Sequence, residues 1–513
     1  MNHYQIMKKM KKIETLKIVM AIAVVFFLTS CENKDAQNYK SMFLEPTYTV
    51  AEEHGRVYVH NVKGHWSTYP DTRDDFGDIY NNKVKDLAFD KDLDLDMDIY
   101  YPKEPVGQIR RPLLLLIHGG AFYNGDKQDL GYPEMGHHFA ERGYVVASVN
   151  YRLGFKPLAP DVDRAGYRAL QDAHGAVCYL IENADEFGID TTNIFAAGTS
   201  AGAITALNLA FMREENRPES TRKDGVKGWI STATETVVSW LDKGLQAIGN
   251  LFNRDWSING EDFCESLGLD SDLGPINAVS GSNDRPFKIK AVVNMWGAVH
   301  DLAIIKNSPE TSVISFHGDD DRIVPYDYGY PFDKVLDPYV DEVIYDLPTS
   351  MMGLAEWMRK WLTSGRPINE WAFNPMHGSK AIHDKATALG MRNELHTMEG
   401  GGHSLHVDEY REDLSGYFED VILPNMTRFL CEEMADGPLV QVVEESDGWF
   451  RATSKDNVAE LHWVVEGGKI VKKDGDDRVK VKFYDDALRH SVTACGKYRN
   501  GVEFREKKEV FHD

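Results

Sequence analysis

Ser200 sits in Gly198-Thr199-Ser200-Ala201-Gly202, a G-x-S-x-G pentapeptide between the short apolar run Asn193 to Ala197 and a second run, Ala203 to Met212. That context is a strand, a sharp turn and a helix. Such a turn holds a serine hydroxyl clear of the backbone and places the positive end of the helix beneath the charge that develops on attack. His118-Gly119-Gly120-Ala121 follows the continuous apolar run Leu113 to Ile117. The amides of Gly120 or Ala121 can there join that of Ala201 in an oxyanion hole, with His118 read as structural.

A serine is a poor nucleophile until a base takes its proton, and the base needs an acid to fix its tautomer. His317-Gly318-Asp319-Asp320-Asp321 follows the run Val313 to Phe316, so an acid can come from any of the three aspartates. Glu399-Gly400-Gly401-Gly402-His403 follows the alternating run Glu394 to Met398. His403 is the candidate base, His406 its rival, and the remaining histidines read as ordinary surface or core residues. The chain order serine, aspartate, histidine is opposite to that of chymotrypsin-type enzymes.

The elements that must position these residues are legible as alternating strands and helices from about Val84. Leu93 to Tyr101 alternates apolar and acidic residues, Leu113 to Ile117 and Tyr144 to Val149 are continuous apolar runs, and Asp161 to Phe187 has helical spacing. Asn193 to Ala197, Ala291 to Trp296 and Val313 to Phe316 are further short strands. This pattern predicts an α/β fold with a doubly wound, mostly parallel sheet, in which ligands bind at the carboxyl ends of strands. Asp92, Asp94, Asp96 and Asp98 lack the glycine and glutamate of a calcium loop and are expected to stand on a solvated strand face.

With G-x-S-x-G, His118-Gly119-Gly120-Ala121 and the stretch His317 to Pro325, whose spacing fits H-G-x-x-D-x-x-V-P, the chain resembles the α/β-hydrolase superfamily, in particular carboxylesterases and carbohydrate esterases. The resemblance spans about residues 84–430 and implies Asp321 as the acid. It implies a serine carboxylesterase acting on small acyl or aryl esters, including acetyl or feruloyl groups on polysaccharide. Lipase or polyester hydrolase and a prolyl-oligopeptidase-type peptidase are the rival activities. A non-catalytic lipoprotein binding glycan or protein is the rival of another class. The sequence departs from the family in the long stretch between acid and base, where an aromatic-rich insertion over 331–376 resembles a lid. Trp357 and Trp361 there, with Trp296, are candidate pocket residues.

Composition bounds the partners. Among 513 residues, 42% are hydrophobic and 27% charged, and 57 lysines and arginines stand against 81 aspartates and glutamates, a net charge of -24. Such a field repels phosphate backbones, so nucleic acid is not an expected partner. Five cysteines form no CxxC pair, and neither a metal-ligand cluster nor a nucleotide-binding loop appears, so no cofactor or metal is expected. Oligomeric state and disulfide pairing are not encoded in any readable pattern.

Lys8, Lys9, Lys11, Lys12 and Lys17 precede the apolar run Ile18 to Leu28, as in a secretory signal. Leu28-Thr29-Ser30-Cys31 resembles the bacterial lipobox, which implies lipidation of Cys31 and a lipid-anchored place in the cell envelope. The expected organisation is a signal peptide over 1–30, a tether and N-terminal extension over 31–83, a catalytic domain over 84–435 with insertions at 213–287 and 331–376, and a β-sandwich over 436–513. The insertion at 213–287 is polar around one helical segment, Thr232 to Leu251. The short alternating runs after Pro438, separated by Gly467-Gly468, Asp474-Gly475 and Asn500-Gly501, resemble PKD-like domains.

Overall fold

The computed structural model describes residues 43–64, 91–103, 110–154, 159–223, 225, 272–332, 373–408, 413–485, 487 and 489–511. The described residues fall into two compact units, one within Tyr48–Leu430 and one within Cys431–Asp513 together with residues 43–47.

The larger unit is organised by one sheet of eight strands: β1 Val50–Gly64, β2 Lys91–Pro102, β3 Arg111–Ile117, β4 Val145–Val149, β5 Ile189–Thr199, β6 Ile289–Met295, β7 Ser312–Gly318 and β8 Asn393–Met398. Their spatial order is β1-β2-β4-β3-β5-β6-β7-β8. β1 and β2 run antiparallel to their neighbours, and every pair from β4 to β8 is parallel. That order, with one exchange between the third and fourth strands, is the α/β-hydrolase arrangement.

β3 and β4 are buried along their whole length. A strand covered on both faces needs apolar residues at successive positions, which is why these two read as unbroken runs. The connections are helices: α1 Tyr132–Ala140, α2 Ala159–Glu182, α3 Ala201–Phe211, α4 Ser379–Ala388 and α5 Leu423–Met434. α3, directly after the G-x-S-x-G turn, is buried at every residue and packs on α2 and β5. The helical segment expected over Thr232 to Leu251 lies outside the described residues.

Three expectations are corrected. The sheet does not begin at Val84: β1, placed by sequence in the N-terminal extension, forms its antiparallel edge, and the unit begins at Tyr48. Register shifts between Glu53 and Arg56, Val57 and Val59, and Val59 and Val62 interrupt the two-residue alternation by which a strand is recognised. At the other end the division falls at Leu430/Cys431, inside the span of α5, rather than at 435/436.

The acidic series on β2 is not uniformly solvated either. Asp94 is half exposed, but Asp98 is fully buried and accepts hydrogen bonds from the amide of Gly55 (2.9 Å) and from Gln128 Nε2 (2.6 Å). His54 Nδ1 lies 2.9 Å from it, and the buried Lys127 pairs with both Asp96 and Asp98. β2 is an inner strand, so the loop after β3 covers that face.

The smaller unit holds two antiparallel sheets. Val442–Glu444, Trp449–Ala452, Arg478–Phe483 and Gly468–Lys473 lie side by side in one, and Val458–Glu466, Ser491–Tyr498 and Glu503–Glu509 in the other. Phe450, Val479, Val492, Ala494 and Phe504 share one buried core, and Gly467, Gly475 and Gly501 make their turns at positive φ.

At Gly202 a Cβ would lie 1.9 Å from the carbonyl oxygen of Ile117 and 2.5 Å from that of His118, both backbone atoms at the end of a central strand. Gly202→Ala is therefore expected to destabilise the unit by about 2 kcal/mol or more, with overpacking as the cause. A urea midpoint within error of wild type would contradict this.

Candidate active site

Ser200 occupies the turn between β5 and α3 with φ 52° and ψ −119°, a conformation that a non-glycine residue adopts only under constraint. Its amide is tied to the carbonyl of Met295 on β6 (2.9 Å), which holds the turn to the sheet. Ala201 opens α3, so its N–H has no carbonyl one helical turn earlier and is available to an oxyanion.

The loop after β3 passes directly beside this turn. A Cβ on Gly119 would lie 3.4 Å from Ser200 Cβ. Gly120, Ala121 and Phe122 follow in succession at φ 100°, 55° and 60°. The fully buried Tyr132 staples the two loops together: its hydroxyl donates to Ile117 O (2.9 Å) and meets Thr199 Oγ1 at 2.8 Å. His118 lies beneath, its Nδ1 2.8 Å from Gly119 O and its ring stacked on Tyr151 at 4.3 Å, in keeping with a structural role.

β7 and β8 carry the other two groups. His403 Nε2 lies 3.0 Å from Ser200 Oγ, and His403 Nδ1 lies 2.7 Å from Asp321 Oδ2. Asp319 instead accepts the amide of Gly400 (2.6 Å), and Asp320 is exposed beside Arg322. Of the three aspartates, Asp321 is thus the one that reaches His403. His406, the alternative base, stacks on Trp296 at 5.2 Å.

Asp321 is buried and fully satisfied. Oδ1 accepts the amides of Ile323 (2.8 Å) and Val324 (3.0 Å), and Oδ2 accepts from His403 and from His317 Nε2 (3.1 Å). Burial alone would raise its pKa, but the hydrogen bonds from His317 and His403 outweigh that and hold the carboxyl well below the usual range.

His317 was read from sequence as an ordinary histidine. It is fully buried, and its tautomer follows from its neighbours. Asn294 Oδ1 accepts the amide of Gly297 (2.9 Å), so Asn294 Nδ2 donates to Ser379 Oγ (2.9 Å). Ser379 then donates to His317 Nδ1 (2.7 Å), which leaves the Nε2 proton for Asp321. The four-residue offset from His317 to Asp321 was visible in the sequence; the link to Ser379, 62 positions away, was not.

A cavity of about 70 Å³, open to solvent, lies at Ser200. Ala121 and Ala201 line it, and its lining is largely apolar, with Phe122, Tyr167, Leu170, Ile204, Phe332 and Phe373 prominent. Phe332 and Phe373, at the two ends of the 331–376 insertion, pack at 5.0 Å. The small antiparallel sheet of Tyr328–Gly329, Met376–Gly378 and Ala298–Val299 flanks the same insertion.

The polar patch of the cavity wall is Asp163, which accepts from Asn374 Nδ2 (2.9 Å) and lies 3.3 Å from His300 Nε2; burial raises its pKa. Trp296 does not line this cavity. It is 1% exposed and sits edge-on to His403 at 6.3 Å, because the left-handed turn at φ 46° after β6 carries it beneath the histidine loop. Trp357 and Trp361 lie outside the described residues.

Residues 97–336 match the BD-FAE family model. The chain is 33% identical over 117 residues to gut esterase 1 of Caenorhabditis elegans, covering 22% of this chain and 20% of that protein. It is 32% identical over 123 residues to esterase-5C of Drosophila pseudoobscura pseudoobscura, covering 24% and 22% respectively. The chain thus spans about a fifth of the length of these curated relatives. Among solved structures it is similar to Thermogutta terrifontis esterase 2 phosphorylated by paraoxon, at 15% identity and TM-score 0.36, over 67% of this chain and 90% of that one.

The His317–Asp321 contact predicts a pH signature. A carboxylate held low in the folded state adds stability that is present above its unfolded pKa, about 3.9, and is lost as pH falls toward the folded value. In His317→Phe the carboxyl is released toward its ordinary pKa. The stability gap to wild type should then be full at neutral pH and narrow below about pH 4. Urea midpoints at several pH values check this, and a gap independent of pH would contradict it.

Proposed function

We propose that the chain is a serine carboxylesterase working through an acyl-enzyme on Ser200. The observation that carries this is the continuous hydrogen-bonded line from Ser200 Oγ through His403 to Asp321, at 3.0 and 2.7 Å, at the mouth of an apolar cavity.

In the first half-reaction His403 Nε2 takes the Ser200 proton as Oγ bonds to the ester carbonyl carbon, and the carbonyl electron pair moves onto its oxygen. The amides of Ala201 and of Gly120 or Ala121 face that oxyanion. Asp321 accepts from His403 Nδ1 and supports the imidazolium without taking its proton. Collapse expels the alcohol, which leaves with the proton from His403. Water then repeats the attack, gives its proton to His403 and releases the acid, and Ser200 recovers its proton. No external redox partner or metal enters this balance.

The largely apolar cavity fits a small acyl or aryl group better than a long peptide. We assign the substrate class to acetyl, aryl or feruloyl esters, including those borne on polysaccharide; the matched family model and the esterase names of the relatives support the ester part of that assignment. We further assign the chain to the bacterial cell envelope through a lipid anchor on Cys31 and read the C-terminal unit as PKD-like. Both rest on sequence resemblance, and Cys31 lies outside the described residues. Among the described residues no helix is long and apolar enough to cross a membrane. Radiolabelled palmitate incorporated in wild type and absent in Cys31→Ser checks the anchor.

The deciding experiment is hydrolysis of p-nitrophenyl esters from acetate to palmitate, with methyl ferulate and acetylated xylan, by wild type and Ser200→Ala. Short-chain or aryl activity that falls by about 10⁴-fold or more in the variant is expected. Fluorophosphonate labelling should likewise require Ser200. Preference for palmitate would shift the assignment to a lipase, and absence of both hydrolysis and labelling would leave a binding protein on a hydrolase fold.

A further inference from the structure

Away from the active site, the second half of α2 presents His174 and Cys178 one turn apart, a spacing that puts both on one helix face. Asp284 reaches the same point from the segment that precedes β6. Cys178 Sγ lies 3.7 Å from His174 Nδ1 and 3.8 Å from Asp284 Oδ1, and His174 Nε2 lies 3.7 Å from the same carboxylate oxygen. Candidate donor atoms of the three residues lie within 4.8 Å of one another.

The ligand distances of zinc, about 2.3 Å to sulfur and 2.0–2.2 Å to nitrogen or oxygen, place neighbouring donors of a tetrahedron roughly 3.3–3.6 Å apart. One imidazole gives a metal only one of its two nitrogens, so the donor set spans up to 4.8 Å, and its widest separation must close by about an ångström, which side-chain rotation supplies. Two further features support a prepared site. Asn277 Nδ2 donates to Asp284 Oδ2 (2.8 Å), which orients the carboxylate with Oδ1 toward the sulfur, as outer partners of metal ligands do. The segment carrying Asn277 and Asp284 is also seated closely on α2: a Cβ on Gly175 would come within 2.7 Å of Val279 Cγ1. The position of the third ligand is thus set by packing on the helix that carries the other two.

We propose that His174, Cys178 and Asp284 form a three-ligand site for a divalent cation of the zinc type, with a fourth position open to water. The donor set selects the ion: one thiolate, one imidazole and one carboxylate suit zinc, and the thiolate disfavours magnesium and calcium, which take oxygen ligands. Binding breaks the Cys178 S–H bond, forms a sulfur–metal bond and releases one proton to solvent, with no change of oxidation state. The bound ion would pin the segment before β6 to the helix whose first half carries the cavity residues Asp163, Tyr167 and Leu170. The sequence shows only the His–Cys pair; the third ligand is 106 positions beyond Cys178.

The test is titration of the chelator-treated, reduced full chain with Co²⁺, followed by displacement with Zn²⁺. One equivalent of Co²⁺ with a sulfur-to-cobalt charge-transfer band is expected, together with a higher thermal midpoint in Zn²⁺. The band should vanish in Cys178→Ser, and affinity should fall about tenfold or more in His174→Ala and Asp284→Asn. Far-ultraviolet circular dichroism verifies the fold of each variant. Should Cys178→Ser not fold, Asp284→Asn, altered at a partly exposed side chain, decides by itself. Absence of saturable binding, or binding unchanged in Asp284→Asn and His174→Ala, overturns the site.

Discussion

The architecture of the active site depends on one buried anion. Removing a carboxylate from water costs several kcal/mol even after relaxation, and that cost is tolerable only where every lone pair finds a donor. Asp321 meets two backbone amides on one oxygen and two imidazoles on the other. Hydrogen bonds to a charged group contribute about 1.5–3 kcal/mol each, so the set is large enough to offset the cost of burial. With this carboxylate fixed, His403 has one tautomer and one orientation, and Ser200 has a base.

The support behind Asp321 runs from sheet to site without a break. Asn294 on β6, Ser379 at the start of α4 and His317 on β7 each have their donor and acceptor roles fixed by the next member. These residues never approach the cavity, yet they decide which imidazole nitrogen carries a proton two steps away. The parallel sheet thereby contributes more than a platform, because adjacent strand ends supply the anchor points of a polar chain that the apolar core then seals from water.

What the sequence disclosed, and what it withheld, follows from how far apart the cooperating residues lie. Strand ends could be read because continuous burial on both faces demands unbroken apolar runs, and the loops after them stand out as glycine and polar residues; Ser200 was found that way, His403 followed an alternating run, and Asp321 was singled out from three aspartates only by the family resemblance. β1 escaped because its bulges break the alternation by which a strand is known. Asp98 was misjudged because the residues that cover it, Lys127 and Gln128, come from a different loop. Trp296 looked like a pocket wall from its place at a strand end, but a single positive φ after β6 directs it under the histidine loop.

The two feet of the insertion at 331–376 meet as Phe332 against Phe373, and both rings belong to the cavity wall. The entropy of closing a loop rises only with the logarithm of its length, so a segment whose ends are already clasped can lengthen or shorten at little cost to the scaffold. What lies between the two phenylalanines can therefore be exchanged while Ser200, His403 and Asp321 stay where they are. A change to either phenylalanine, by contrast, alters anchoring and cavity shape together. The clasp joins the catalytic residues to an exchangeable segment, with one aromatic pair as the joint between them.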